Sequence, residues 1–148
     1  MQTLSLHPPF ASLPFAFILV VIAFELLSLF LKRPWMRHAA LVVLAFAAIA
    51  VAAAFYTGYQ ASESANQTFV VADSEIAEHQ FYGRLLLFTI IPCAAVGFFS
   101  VIAKYSQSLF RAVYLFLLLV SLGLVVTTGY LGGKLVFEHG AGVVAKPQ

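Results

Sequence analysis

Four long apolar runs dominate the sequence and limit the folds that it can adopt. They cover residues 10–31, 39–59, 81–103 and 112–131. Each is close to the ~20 residues with which a helix crosses the hydrocarbon core of a bilayer. Lipid offers no hydrogen-bond partner to unpaired backbone groups, and the runs lack the residue-by-residue alternation of a barrel strand. The pattern therefore predicts an all-α fold, a four-helix transmembrane bundle that forms one integral membrane domain over residues 1–148.

The composition agrees with a lipid environment and excludes several classes of soluble protein. Of the residues, 62% are hydrophobic and only 9% are charged, whereas a water-soluble domain carries about 25% charged residues. The 8 Lys and Arg side chains are too few for the basic face of a nucleic-acid-binding protein. The single cysteine excludes a disulfide framework and a cysteine-ligated zinc or iron–sulfur site within this chain.

The basic residues between the runs indicate an orientation in the membrane. Lys32, Arg33 and Arg37 lie between the first and second runs, and Lys104 and Arg111 lie between the third and fourth. Short cytoplasmic loops are enriched in Lys and Arg. We therefore expect a multi-pass protein of the bacterial inner (cytoplasmic) membrane with both termini in the periplasm. The segment before the first run has no Lys or Arg, unlike the start of a signal peptide, so we expect this run to be retained.

The two halves of the chain share a pattern that predicts two copies of one helical hairpin. The matched pairs lie 71 or 72 positions apart and are His7 with His79, Lys32 with Lys104, and Thr57-Gly58-Tyr59 with Thr128-Gly129-Tyr130. Both copies would begin on the same side, as parallel repeats about an axis along the membrane normal. Chance similarity between the outer ends of unrelated spans is the alternative, because aromatic residues gather at membrane interfaces.

Histidine placement is the feature that points to a bound cofactor. His7, His79 and His139 each lie at the end of a different span, all on the predicted periplasmic side. Neutral imidazole is the commonest metal ligand, and it binds haem iron as an axial ligand. We therefore expect the three rings to converge on a shared site.

One interpretation of this site is a b-type haem near the periplasmic face. His7 and His79 are the first choice of axial ligands, and His139 is the substitute for either of them or an orienting group. Arg84 and Lys134 each lie five residues from a histidine, toward the membrane. At that depth both cations would pair with the haem propionates.

A second interpretation is a bare zinc or copper ion bound by the same three histidines and nearby carboxylates. Glu75, Glu78 and His79 share one helical face because their spacing is i, i+3, i+4, and Glu138 adjoins His139. A third interpretation gives all these side chains no role beyond anchoring the spans at the headgroups.

Glu25 is a further candidate because it lies within the first apolar run. A carboxylate at that depth is costly, so we expect it to face the bundle interior or a polar cavity. The alternative is a protonated side chain that is hydrogen-bonded to Ser28, Ser100 or Ser121.

Several motifs carry a resemblance to a known family. They are Leu6-His7-Pro8-Pro9 followed by Leu13-Pro14, Thr57-Gly58, the histidine that enters the third span, and the closing segment from Gly132-Gly133-Lys134 to His139-Gly140. With these motifs the chain resembles, over nearly its whole length, the bacterial four-span "predicted membrane protein" family of unknown function. Members are sometimes joined to c-type cytochrome or Rieske domains, which implies redox work at the outer face. This chain has no C-x-x-C-H motif, so such a partner would be another chain.

The sequence thus favours an electron-transfer protein that binds haem b, rather than a stand-alone enzyme. Its expected partners are the lipid bilayer, a c-type cytochrome or Rieske chain and quinone, and we expect a subunit of a complex or a homo-oligomer. The alternatives are a cofactor-free accessory subunit of a larger membrane complex and a histidine- and glutamate-based metal-binding or transport protein.

Overall fold

The described part of the chain folds entirely as helices and their short connections. A computed structural model describes residues 7–68, 71–103, 105–139 and 141. The helices are α1 (His7–Ala11), α2 (Leu13–Leu31), α3 (Pro34–Thr68), α4 (Asp73–Ile102) and α5 (Gln107–Phe137). Within these ranges, α2 to α5 are long and apolar enough to cross a membrane. The predicted all-α, four-helix transmembrane bundle is therefore confirmed. Leu6, Lys104 and Gly140, which belong to the sequence patterns above, lie outside the described residues.

The four long helices pack as two hairpins that run in the same direction. The most extensive contacts are between α4 and α5 and between α2 and α3, while α3 with α4 and α2 with α5 complete the ring. Only Lys32 and Arg33 connect α2 to α3, and so short a connection makes neighbouring helices antiparallel. The first helix of each hairpin, α2 or α4, therefore crosses the bundle in the same sense.

Each long helix buries one narrow stripe of side chains. Successive buried positions alternate in spacing between three and four residues, as in Pro14, Ile18, Val21 and Glu25 of α2 and Tyr114, Leu118, Ser121 and Val125 of α5. The stripe of α4 repeats this spacing from Leu86 to Ser100. Such spacing follows one face of an α-helix and is typical of nearly aligned helices in a bundle. The remaining faces carry large apolar side chains, such as Phe30 and Phe88, that are exposed to the bilayer.

The helices extend beyond the spans that hydropathy predicted. Segment 61–78 lies between the second and third apolar runs, where its polar residues favour a loop, yet it is mostly helical: α3 continues to Thr68 and α4 begins at Asp73. Asp73 and Glu75 lie in the first turn of α4, where carboxylates interact favourably with the positive end of the helix dipole. Arg37 and Arg111 also lie on helices rather than on loops. Hydropathy identifies only the residues that lie within the hydrocarbon core, whereas a helix can continue into the polar region on either side.

The two ends of the bundle differ in their polar side chains. One end, called here the histidine end, carries His7, His79 and His139. The opposite end, called here the arginine end, carries Arg33, Arg37, Arg111 and the connections from α2 to α3 and from α4 to α5.

Gly97 is a point of close contact between α4 and its neighbours. A Cβ atom on Gly97 would lie 2.9 Å from Cδ2 of Leu41 on α3 and 3.1 Å from Cδ2 of Tyr114 on α5. Both of these side chains are buried. Small residues at such contacts allow the van der Waals packing that drives helix association in lipid.

We expect Gly97→Val to destabilise the bundle, because its side chain would overlap Leu41 and Tyr114. Gly123→Val is the matched control, since a Cβ on Gly123 meets nothing within 4 Å. Overpacking of a close contact costs about 1–3 kcal/mol. Circular dichroism during denaturation in mixed micelles should therefore show a lower free energy of unfolding for Gly97→Val than for the control. Equal values for both variants would contradict the close contact.

Candidate functional site

Two of the predicted site histidines meet at the histidine end. The ring centroids of His7 and His79 are 6.0 Å apart, and the ring planes are inclined by 76°. His7 belongs to the short helix α1 and His79 to the second turn of α4. Both side chains are half-buried. The structure therefore brings together one imidazole from each half of the chain.

Each of these rings packs on a glycine of the second helix of its own hairpin. A Cβ atom on Gly58 of α3 would lie 2.8 Å from Cε1 of His7. A Cβ on Gly132 of α5 would lie 3.2 Å from Cε1 of His79. Any larger residue at Gly58 would displace the ring, so the glycine allows the imidazole to approach the helix backbone. The two histidine–glycine contacts are equivalent features of the two hairpins.

The register of the second contact differs from the sequence pattern. The Thr-Gly-Tyr match aligns Gly58 with Gly129, yet a Cβ on Gly129 meets nothing within 4 Å. Gly132 contacts His79 instead, and it lies three residues, or nearly one helical turn, further along α5. Local sequence similarity identified the helix end but not the residue, because contact depends on how far each helix is shifted along its neighbour.

Thr57 determines which nitrogen of His7 carries the proton. Its Oγ1 atom donates to the backbone carbonyl of Ala53 at 2.9 Å, with that of Ala54 at 3.2 Å. The same oxygen lies 3.4 Å from Nδ1 of His7. Since the hydroxyl proton is already used, this oxygen accepts from Nδ1. The network thus assigns the proton to Nδ1 and leaves the lone pair of Nε2 available to a ligand.

His7 is also held in its neutral form. Burial lowers the pKa of His7 below its usual value, and the backbone of Ala54 partly opposes this effect. Desolvation disfavours the charged imidazolium. Only the neutral ring has a lone pair to give to a metal.

His79 has a buried nitrogen that its surroundings do not satisfy. Its Nδ1 atom is buried and has no well-formed hydrogen bond among the described residues, although the ring also interacts with the backbone of Thr128. A buried polar atom without a partner is costly, and such atoms in a native protein call for an explanation. A ligand at the histidine pair would supply one.

The third histidine belongs to a neighbouring ionic cluster. Nε2 of His139 lies 3.6 Å from Oε2 of Glu75, and Nζ of Lys134 lies 3.3 Å from both carboxylate oxygens of Glu75. Glu75 precedes His79 by one helical turn on α4, so the cluster adjoins the histidine pair. In the described part of the chain, no three His, Cys, Asp or Glu side chains are grouped so that they could hold one metal ion. The pair of His7 and His79, rather than a triad, is therefore the candidate centre.

The remaining candidates from the sequence lie on the periphery or elsewhere. Arg84, Glu78 and Glu138 are exposed. Glu138 and Lys134 line a shallow cleft of about 270 Å³ at the end of α5. The described residues contain no hydrogen bond or ion pair that joins Arg84 to the histidine pair.

Glu25 lies in the interior of the bundle, nearer the arginine end. Its side chain is 5% exposed, and its Oε2 atom is 3.6 Å from Nη2 of Arg111 on α5. Oγ of Ser28 donates to the backbone carbonyl of Glu25 rather than to its carboxylate. The carboxylate therefore links α2 to α5 through an ion pair whose separation is slightly longer than a hydrogen bond.

The supporting roles of the residues around the histidines were not predicted from the sequence. Thr57 and Gly58 served there only as markers of a repeat and a family, and Gly132 only as part of a family motif. The signal was present, because a Thr-Gly pair on each second helix accompanies a histidine on each first helix. Its meaning depends on helix packing, which a single sequence does not specify.

Comparison with known proteins gives one match. Residues 3–145 match the model of a family described as "Predicted membrane protein (DUF2231)". Neither the curated proteins nor the solved structures that were compared contain a match to this chain.

We expect Gly58→Ala to displace the ring of His7 while leaving the bundle folded. The new methyl group would overlap Cε1 of His7, and a side chain at the short α1 helix can shift more readily than helix backbone. The chain has four histidines, so imidazole Cε1–H resonances in a carbon–proton spectrum can be assigned one by one. Gly129→Ala is the control, because its position is open. A His7 resonance that moved equally in both variants would contradict the contact.

Proposed function

The chain belongs to the DUF2231 family of predicted membrane proteins, and we propose that it carries out a redox task within the bilayer. It binds one b-type haem at the histidine end, with His7 and His79 as axial ligands, and carries single electrons. The observation that supports this proposal is the pair of half-buried imidazoles, one from each hairpin, with centroids 6.0 Å apart.

The spacing of the two rings fits a shared metal. A metal ion lies ~2.0 Å from an imidazole nitrogen, so two rings on opposite sides of one ion have centroids about 6 Å apart. The observed separation has this value.

The surroundings of the rings also fit a haem. Gly58 and Gly132 allow each imidazole to pack directly against the backbone of the neighbouring helix, which positions the two rings as potential ligands. Nδ1 of His79 has no well-formed hydrogen bond among the described residues, and the contact of Thr57 with Nδ1 of His7 would leave Nε2 of that ring for a ligand. Thr57 orients the His7 ring through Nδ1, which is how proteins commonly position a metal-ligating histidine.

Charged residues near the pair would hold the propionates. Lys134 lies two residues after Gly132 on α5 and is now paired with Glu75, so a propionate would share or replace that carboxylate. Arg84, five residues after His79, supplies a second cation at the exposed surface of α4. His139 and Glu75 complete a polar rim around the pair. When bound, haem would supply a reversible one-electron couple.

The orientation follows from the basic residues at the arginine end. We place that end in the cytoplasm of a bacterium, with the histidine end and both termini in the periplasm, because Lys and Arg gather on cytoplasmic segments. Electrons would then pass at the periplasmic face to or from a c-type cytochrome or Rieske protein in another chain, or to quinone in the bilayer.

Absorption spectra of purified variants test the ligand assignment. We expect wild-type protein loaded with haem to show a low-spin Soret band that shifts on reduction with dithionite. His7→Ala and His79→Ala should each lose this spectrum, because one axial ligand is missing. His139→Ala should keep it. His38→Ala is the matched control, since this exposed ring bonds to the Pro34 carbonyl at the opposite end.

Two other results would contradict the haem proposal and identify an alternative. A colourless protein with stoichiometric zinc or copper that is lost in His7→Ala would indicate the bare-ion site. A colourless protein without metal, stable only in the presence of other membrane subunits, would indicate an accessory subunit without a cofactor.

The orientation has its own test, which does not depend on the cofactor. The native Cys93 is buried, so it should give little background with a membrane-impermeant maleimide. We expect Glu78→Cys, at the histidine end, to be labelled in intact spheroplasts. Gln107→Cys, an equally exposed position at the arginine end, should be labelled only after lysis. The reverse pattern would place the histidine end in the cytoplasm.

A further inference from the structure

A cavity at the arginine end carries an excess of positive charge. It has a volume of about 350 Å³ and lies between the end of α2, the start of α3, the end of α4 and the start of α5. Its lining includes four permanently charged side chains, Lys32, Arg33, Arg37 and Arg111. This cavity takes no part in the proposed electron transfer, because it is at the opposite end of the bundle from the histidines.

The excess charge has little compensation within the described part of the chain. Glu25 is the carboxylate nearest to these cations, and its Oε2 lies 3.6 Å from Arg111, beyond hydrogen-bonding distance. No other ion pair involves the four cations among the described residues. Like charges that converge beside a hydrocarbon region repel one another strongly, because the low dielectric screens them poorly. An anion in the cavity would relieve this repulsion.

Arg37 lines the cavity with a guanidinium group whose position is fixed. Its Nη2 atom donates to the backbone carbonyl and to Oγ of Ser100, at 2.9 and 2.8 Å. These bonds hold the guanidinium against α4. The planar guanidinium group matches the geometry of phosphate oxygens, so a fixed Arg in the wall of the cavity suits such an anion.

We propose that this cavity binds a phosphate group, with Arg37 and Arg111 as the fixed donors and Lys32 and Arg33 as the outer cations. The hydroxyl of Ser28 also lines the cavity. The same chemistry is offered by the headgroup of an anionic phospholipid and by free phosphate. Leu29 lines the cavity and is 56% exposed, so an acyl chain could continue along α2, which favours the lipid. Basic pockets between membrane helices commonly bind lipid headgroups in this way.

The test measures lipid binding by the full chain in detergent. Native mass spectrometry is carried out during titration with phosphatidylglycerol and, separately, with the zwitterionic phosphatidylcholine. We expect tighter retention of phosphatidylglycerol, and in Arg33→Gln we expect its apparent Kd to rise about fivefold for the one lost cation. Arg84→Gln is the matched control, because it removes one exposed positive charge from α4 outside the cavity and should leave the Kd unchanged.

A second variant guards against local distortion of the backbone. Lys32 is the residue that caps the C-terminal end of α2, and its φ of 48° lies in the left-handed region. The variant is Lys32→Gln and not Lys32→Gly, because glycine would also relieve the backbone strain. It should weaken binding as Arg33→Gln does.

A second experiment tests free phosphate as the ligand. Inorganic phosphate is titrated into the protein in phosphate-free buffer, and binding is measured by calorimetry. Competition between phosphate and phosphatidylglycerol would support one shared site whose phosphate group comes from a lipid headgroup. Binding of inorganic phosphate without binding of phosphatidylglycerol would support the site with free phosphate as its ligand.

Two outcomes would overturn the proposal. Equal retention of phosphatidylglycerol and phosphatidylcholine, with no binding of inorganic phosphate, would show that charge does not select the ligand. A Kd that responds equally to Arg33→Gln and Arg84→Gln would show attraction by net charge without a site. Neither outcome bears on the proposed haem, because His7 and His79 lie at the opposite end of the bundle.

Discussion

Apolar side chains gain little in a bilayer by exchanging lipid for protein, and this constraint governs the whole bundle. Helices must then associate through close contact and through polar pairs. The buried stripes are accordingly narrow, and Gly97 brings α4 within contact of Leu41 and Tyr114. The ionic interaction of Glu25 with Arg111 adds a polar link between α2 and α5. The large aromatic side chains of the chain mostly remain outside, against lipid.

The same constraint concentrates reactive chemistry at the two ends. Between them, the helices offer mainly aliphatic contacts and backbone carbonyls that accept from Ser and Thr side chains, as Ser121 does with Leu117. At the histidine end the two hairpins meet through the imidazoles of His7 and His79, while the Glu75 cluster links α4 to α5 within the second hairpin. At the arginine end they meet through the contact of Arg37 with Ser100. A bundle of this kind can bind different ligands at its two surfaces without interference between them.

The sequence was sufficient to predict the helices, their number in the membrane and the family, because each depends on hydropathy or on short motifs. It also indicated His7 and His79 as equivalent residues of two hairpins. It did not predict that segment 61–78 is mostly helical, since polar residues form helices as readily as loops. Nor did it predict that Gly132 rather than Gly129 contacts His79, or that Lys134 pairs with Glu75. These contacts depend on the axial shift between packed helices, for which hydropathy carries no information.

The break at Ser12 separates α1 from α2 and makes the two imidazoles mechanically unequal. His79 is anchored within a helix of 30 residues, whereas His7 is carried by a helix of five. A ligand bound by both imidazoles would therefore hold α1 in place over the histidine end of the bundle. Since α1 rests on α3, a ligand bound by both rings would also hold α1 against the first hairpin, whereas His79 is already fixed by α4.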